Sequence, residues 1–211
     1  MIKKIFDNER QYLNFFFDKV DIQKMEELLE ILKECKGALV LSGVGKSGLI
    51  AKKIAATMTS TNTRALFLSP VNALHGDIGI VSPEDIFIFL SKTGESDELL
   101  TLIPSLRNKK VKLIAVVSNV NSRLAKACDI VVHLPLEKEI CPFDIAPTTS
   151  TTIQMIFGDV MAIALMQARN FTIDEFAINH PAGRIGKRII LKVRDLMIRG
   201  KEIPFCKKED L

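Results

Sequence analysis

The chain has 211 residues, 47% of them hydrophobic and 26% charged, and a formal net charge of +4. That is enough apolar material for one globular domain with extensions, and the basic surplus is too small to point to nucleic acid. The one basic cluster is Arg184, Lys187, Arg188, Lys192 and Arg194.

In chain order, residues 1–36 predict two helices. Asp21 is placed to cap the second, in which Ile22, Met25, Leu28, Leu29 and Leu32 form an apolar stripe. Phe15, Phe16 and Phe17 in a row cannot all face one core, so part of that surface is expected to pack on a neighbouring subunit or to wrap the main sheet. From Gly37 strands alternate with helices: strands at 38–42, 64–69, 85–91, 112–118 and 130–134, and helices near 47–60, 96–108 and 121–127. A long helix at about 149–169 and a shorter one near 172–178 follow. Near-continuous apolar strands between helices predict an α/β fold, a doubly wound five-stranded parallel sheet with helices on both faces. The apolar stretch Ile153 to Met166 is short for a membrane span and carries Asp159, so it is expected to be a core helix. The four cysteines (Cys35, Cys128, Cys141 and Cys206) form no C-x-x-C pair and fit reduced thiols of a cytoplasmic protein. The first residues soon turn polar, unlike a secretory leader.

The first strand, Ala38-Leu39-Val40-Leu41, runs into Ser42-Gly43-Val44-Gly45-Lys46-Ser47-Gly48 and then into a helix. Such an order lets backbone N–H groups face an anion. A Walker A loop is excluded, because the position five before Gly45 is Val40. Gly43, Gly45 and Gly48 spell G-x-G-x-x-G, but no Asp or Glu between Glu34 and Asp77 is available to hold a ribose. Dinucleotide binding therefore ranks behind simple phosphate contact. Ligands of open α/β sheets sit outside the carboxyl ends of the strands, and those ends carry hydroxyls: Ser42, Ser69, Ser91 and Ser118. The third is followed by Lys92-Thr93-Gly94-Glu95-Ser96. Each Ser or Thr alone would be a helix cap; Ser91, Thr93 and Ser96 around one glycine make a phosphate cradle that needs no metal.

This loop resembles the phosphate loop of the sugar isomerase (SIS) domain family. Gly43 to Gly48, His75-Gly76-Asp77, Cys141-Pro142 with Ala146 to Thr152, and Asn179-His180-Pro181-Ala182-Gly183 match the same family in order. Over about residues 37–198 the chain is similar to the D-arabinose-5-phosphate isomerases within it. The resemblance implies a SIS domain at 37–183, with helices 1–36 packing on the core or on a neighbouring subunit. It leaves a tail at 184–211 too short for the paired CBS domains of many members. It also implies interconversion of D-ribulose 5-phosphate and D-arabinose 5-phosphate through an enediolate, feeding 3-deoxy-D-manno-octulosonate and lipopolysaccharide synthesis. No cofactor, nucleic acid or membrane is implied, and the expected assembly is a homotetramer with pockets at subunit interfaces. One departure is Lys92-Thr93, where the family often has Asn-Ser; it keeps a hydroxyl and adds a charge.

By the same resemblance the catalytic residues are Lys46, Glu98, Glu139 and His180. Lys46 would neutralise the enediolate or contact phosphate, and the base is Glu139 or His180, both open from sequence. Without the resemblance Glu139 would be a solvated loop acid. Substrate and phosphate contacts fall on Ser42, Gly43, Ser47, His75, Ser91, Thr93, Gly94 and Ser96, with Thr148, Thr149 and Ser150 as a second polar wall or as plain helix caps. A catalytic zinc wants three protein ligands, and the histidines are His75, His133 and His180. His75 is expected to be an active-site residue that captures zinc adventitiously, with inhibition, and His133 to be buried in the fifth strand. The alternative function is a non-catalytic SIS module that senses a phosphosugar or a nucleotide sugar.

Overall fold

Asp21 separates two amphipathic helices, α1 (Ile2–Lys19) and α2 (Ile22–Lys33), and its carboxylate accepts from the Lys24 N–H at 3.0 Å as an N-cap. Of the phenylalanine run, Phe16 is buried while Phe17 is 57% exposed, as one helix face requires. The alternating part follows as β1 (Leu39–Gly43), α3 (Gly45–Ser60), β2 (Ala65–Phe67), α4 (Pro70–Leu74) and a 3-10 turn (Asp77–Ile80). Then come β3 (Ile86–Ser91), α5 (Asp97–Leu100), α6 (Ile103–Asn108), β4 (Lys112–Val117), α7 (Arg123–Ala127), β5 (Ile130–His133) and α8 (Thr149–Ala168). This computed structural model describes residues 1–181 and 196–204. A first compact unit ends at Phe171; a second, from Thr172, contains α9 (Ile173–Asn179). The basic cluster between Arg184 and Arg194, Ala182-Gly183 and Cys206 lie outside the described residues.

All five strands are parallel, in the order β2-β1-β3-β4-β5. The chain starts in the interior of the sheet, winds outward to β2, then crosses back to β3, which puts the topological switch point between β1 and β3. Side chains alternate across the sheet. Leu39, Leu41, Ile88, Leu90, Ile114 and Val116 join one core with Phe16, Leu28, Ile54, Phe157 and Leu165 from α1, α2, α3 and α8. Val40, Phe87, Phe89, Leu113, Ala115 and Val117 join the other with Ala73, Leu99, Leu106 and Leu124 from α4 to α7. Both faces are covered, so the doubly wound expectation holds.

Two expectations are corrected. The helix foreseen at 96–108 is broken into α5 and α6 at Thr101 and Leu102. Pro104 has no N–H, and its ring opposes helical geometry at residue 100. After β2, Pro70 starts the short helix α4. His133 is exposed, not buried, because it is the last residue of an edge strand. α8 is long and apolar enough to cross a membrane by length and composition. It nevertheless buries Ile153, Phe157, Met161 and Leu165 against the sheet-side core, and its Asp159 is ion-paired with Lys53 of α3.

Candidate active site

The glycine-rich turn after β1 is built by close packing. A Cβ on Gly43 would meet the backbone of Ser47, Gly48 and Leu90 at 3.0 Å, and Gly45 takes a φ of +57°, a left-handed conformation that favours glycine. Ser42 is wholly buried, and its hydroxyl donates to the Leu68 carbonyl at 2.8 Å, tying β1 to the end of β2. Lys46 and Ser47 stand in the first turn of α3, Lys46 exposed and Ser47 half-buried. The helix N-cap is Val44, whose side chain cannot accept from the first amides. Those donors are left for an anion or water.

The second loop follows β3. Ser91 is buried and its Oγ accepts the Gly94 N–H at 3.0 Å, while Thr93 Oγ1 accepts the Glu95 N–H at 3.3 Å. Gly94 has a φ of +68°, and a Cβ there would collide with the Ser122 hydroxyl, so the loops after β3 and β4 pack where only glycine fits. Ser96 caps α5 by position, without a side-chain bond. A four-residue α5 has too short a dipole to draw an anion, so what this loop offers a ligand is its hydroxyls and amides. Arg123, which the sequence reading missed, clamps the loop. Its Nε reaches Glu95 Oε2 at 2.6 Å, one guanidinium nitrogen reaches Asp97 Oδ1 at 3.0 Å, and its backbone N–H donates to Glu95 Oε1 at 2.9 Å. The guanidinium holds the Glu95 carboxyl below its ordinary pKa.

Between the glycine turn and the segment after β2 lies a cleft of about 310 Å³, lined by Gly43, Gly45, Gly48, Ser69, Glu98 and Lys52 among others. It is at the carboxyl ends of β1 and β2, beside the switch point. Glu98 is therefore brought to the glycine turn. Lys52 is new; it stands four residues after Gly48, on the same helix face, a spacing that would have found it. A wider opening of about 450 Å³ around Glu84, Asp85 and Lys112 sits at the amino ends of β3 and β4, away from the hydroxyl-rich loops. His75 ends α4 and is exposed. Among the described residues no group of three or more His, Cys, Asp or Glu could hold a metal ion.

Glu139 is the surprise. It is 1% exposed, and its Oε2 accepts from the Thr148 N–H at 2.9 Å, the Thr148 hydroxyl at 3.0 Å and the Ser150 N–H at 3.1 Å. Oε1 lies 3.0 Å from the Lys92 ammonium, an ion pair whose angles fall short of a hydrogen bond. Burial raises the proton affinity, but the Ser150 and Thr148 donors and Lys92 outweigh it and hold the carboxyl at about 2. Thr149 is engaged as well, donating its hydroxyl to Glu9 Oε2 of α1 at 2.6 Å. The polar atoms of the Thr148 to Ser150 wall are thus occupied in large part by two carboxylates of the chain itself.

His180 belongs to the second unit, at the C-cap of α9, whose start is a capping box of Thr172 and Glu175. Its Nδ1 is 2.8 Å from the Phe176 carbonyl, and the two rings stack with centroids 4.0 Å apart. A carbonyl only accepts, so Nδ1 carries the proton, and Nε2 of the neutral ring keeps its lone pair.

Residues 31–164 match the SIS domain family. The chain is 44% identical over 194 residues to arabinose 5-phosphate isomerase KdsD of Yersinia pestis, which covers 92% of this chain and 57% of that protein. It therefore spans little more than half the length of such curated relatives. Among solved structures it is similar to E. coli CFT073 c3406 in complex with arabinose 5-phosphate (TM-score 0.82, 37% identity, covering 85% of this chain and 95% of that one). It is also similar to a putative sugar-phosphate isomerase from Listeria monocytogenes (TM-score 0.81, 33% identity, covering 86% and 95%).

Proposed function

Because this chain belongs to the SIS domain family, we propose that it is an aldose–ketose isomerase that interconverts D-ribulose 5-phosphate and D-arabinose 5-phosphate. The observation that carries this reading is the hydroxyl-lined loop Ser91 to Ser96 beside the glycine turn of β1, in a chain similar to a structure in complex with arabinose 5-phosphate. The substrate phosphate is held by the loop's hydroxyls and amides, and the sugar carbons extend toward the cleft with Glu98 and Lys52. A base removes the C1 proton of the ketose to give an enediolate and returns it to C2, the hydroxyl proton of O1 passes to O2, and a cation or donor stabilises the oxyanion in between. Lys46, in the first turn of α3, serves as that cation.

Base duty goes to His180 rather than Glu139. An imidazole protonated at Nδ1 carries its lone pair on Nε2 and can accept a proton there, whereas a carboxylate held at about 2 is a weak base at pH 7. No metal or cofactor takes part in these steps; His75 offers zinc a foothold, and bound zinc inhibits. The setting is the cytoplasm, in keeping with the free thiols of Cys35, Cys128 and Cys141, and the product feeds 3-deoxy-D-manno-octulosonate synthesis. The working form is a homotetramer with pockets at subunit interfaces, supported by the exposed apolar Leu49, Val71, Leu74 and Ile80; a stable, active monomer in light scattering would refute it.

The deciding experiment incubates the purified chain with ribulose 5-phosphate, without added cofactor, and follows arabinose 5-phosphate by NMR. Product is expected. Folded protein that binds the sugar phosphate without turning it over would instead make it a sensing module.

A further inference from the structure

The ion pair between Lys92 and Glu139 joins two loops that the sheet order keeps two strands apart, the one after β3 and the one after β5. Both ends are fixed. The Lys92 carbonyl accepts the Ser118 N–H at 3.0 Å, and its neighbours Ser91 and Thr93 hold the Gly94 and Glu95 amides. Glu139 donates its own N–H to Asp144 Oδ1 at 2.8 Å, and its side chain caps the start of the 20-residue α8 through Thr148 and Ser150. A carboxylate at that end is favoured by the helix dipole. The side chain of Glu139 is fully inaccessible, and that of Lys92 is 28% exposed. A carbon acid's proton could reach Oε2 only by displacing three donors. Asp85, also buried, makes a useful contrast: it accepts from the Ala38 and Ser82 amides at the opposite end of the sheet, with no cation paired to it among the described residues.

We propose that Lys92 and Glu139 form a latch that sets the phosphate loop in register with the α8 N-terminus, and that Glu139 is a positioning residue of the site, not its base. The latch makes the phosphate loop a rigid fixture before substrate arrives, because Lys92 sits between the two hydroxyl residues that shape it. Losing the ammonium frees the loop after β5 and leaves a buried carboxylate without its counter-charge. This rests on the isomerase reading for its kinetic consequences, but the latch itself is measurable without turnover.

The test uses the full chain with Lys92→Met, Lys92→Arg and Glu139→Gln. Without substrate, amide hydrogen exchange at Thr148 and Ser150 is expected to speed up in Lys92→Met and Glu139→Gln and to return toward wild type in Lys92→Arg. The Kd for inorganic phosphate rises in the same two variants. With substrate, Lys92→Met raises KM more than it lowers kcat, and Glu139→Gln lowers kcat/KM by about tenfold to a hundredfold, the scale of a misplaced group. The limbs of its pH profile stay where the wild type has them. Unchanged exchange in a folded Lys92→Met or Glu139→Gln protein overturns the latch. Loss of the acid limb in Glu139→Gln overturns the positioning role, since that limb would then belong to Glu139. If the wild type turns over neither pentose phosphate, the isomerase reading fails while exchange and phosphate affinity still decide the latch.

Discussion

The carbonyl oxygen of Gly43 lies 2.5 Å from the position a Cβ on Gly48 would take, so the last residue of β1 and the first full turn of α3 meet backbone to backbone. Neither partner can yield as a flexible side chain would. Gly48→Ala therefore has to push helix from strand, at a cost of about 1–3 kcal/mol, and it widens the glycine turn that lines the cleft. Gly45→Ala differs in kind: a Cβ there meets nothing within 4 Å, but the φ of +57° costs about 1–2 kcal/mol. Urea unfolding of the two variants is expected to show both losses, with phosphate affinity falling further in Gly48→Ala. Wild-type stability for Gly48→Ala would mean that the strand and helix are free to separate.

Arg123 bridges Glu95 and Asp97 at the surface, where salt bridges add little to stability. Its value lies in holding the loop after β3, where we propose the substrate phosphate binds. Arg123→Met is expected to leave the thermal midpoint near wild type while KM for the sugar phosphate rises severalfold, with kcat less affected. Added salt should mimic part of the change in the wild type and none in the variant, because it screens the exposed pair. Equal KM values in variant and wild type across salt concentrations would dismiss the clamp.

The fold was legible because parallel strands buried on both faces leave runs such as Ile86 to Leu90 that no exposed element tolerates. Asp21 as a cap was readable for the same local reason. The site was readable only as loops. Gly43, Gly48 and Gly94 announce tight packing through glycine itself, yet their partners, Leu90 and Ser122, are set by tertiary structure. Glu139 shows the limit most clearly. In sequence it is one acid in Glu137-Lys138-Glu139, indistinguishable from a solvated charge. Its burial depends on Lys92, 47 residues earlier, and on α8 amides about ten residues later. His133 failed for a simpler reason: strand alternation does not say which strand is the edge.

The cysteines separate by chemistry. Burial pushes the Cys128 thiol up to about 12 and raises Cys35 as well. Cys141 is lowered, because its sulfur accepts the Ala146 and Ile145 N–H groups at 3.1 and 3.0 Å. Thiolate is the reactive form. Iodoacetamide at pH 7.5 followed by peptide mapping is expected to label Cys141 well before Cys35 or Cys128. Equal labelling would show that the loop does not hold those amides on the sulfur in solution.

Glu139 also makes stability depend on pH in a definite direction. Its carboxyl ionises at about 2 in the folded chain against the ordinary glutamate value of 4.5, so the unfolded chain binds a proton more readily as pH falls. The stabilisation is complete above pH 4.5 and drains away between there and about 2. The difference of 2.5 units, at about 1.4 kcal/mol each, sets the scale at about 3 kcal/mol. Other carboxylates titrate in the same range, so wild type must be compared with Glu139→Gln. Glutamine keeps an acceptor for the Thr148 and Ser150 amides but never ionises, and Lys92, being partly exposed, recovers some hydration. At pH 7 the variant is expected to be less stable than wild type by up to about 3 kcal/mol. In urea titrations at successively lower pH the gap should close, reaching zero near pH 2, where the wild-type carboxyl is itself becoming neutral. A gap that stays constant from pH 7 to pH 2 would mean that the donors hold the side chain by shape alone and not by its charge.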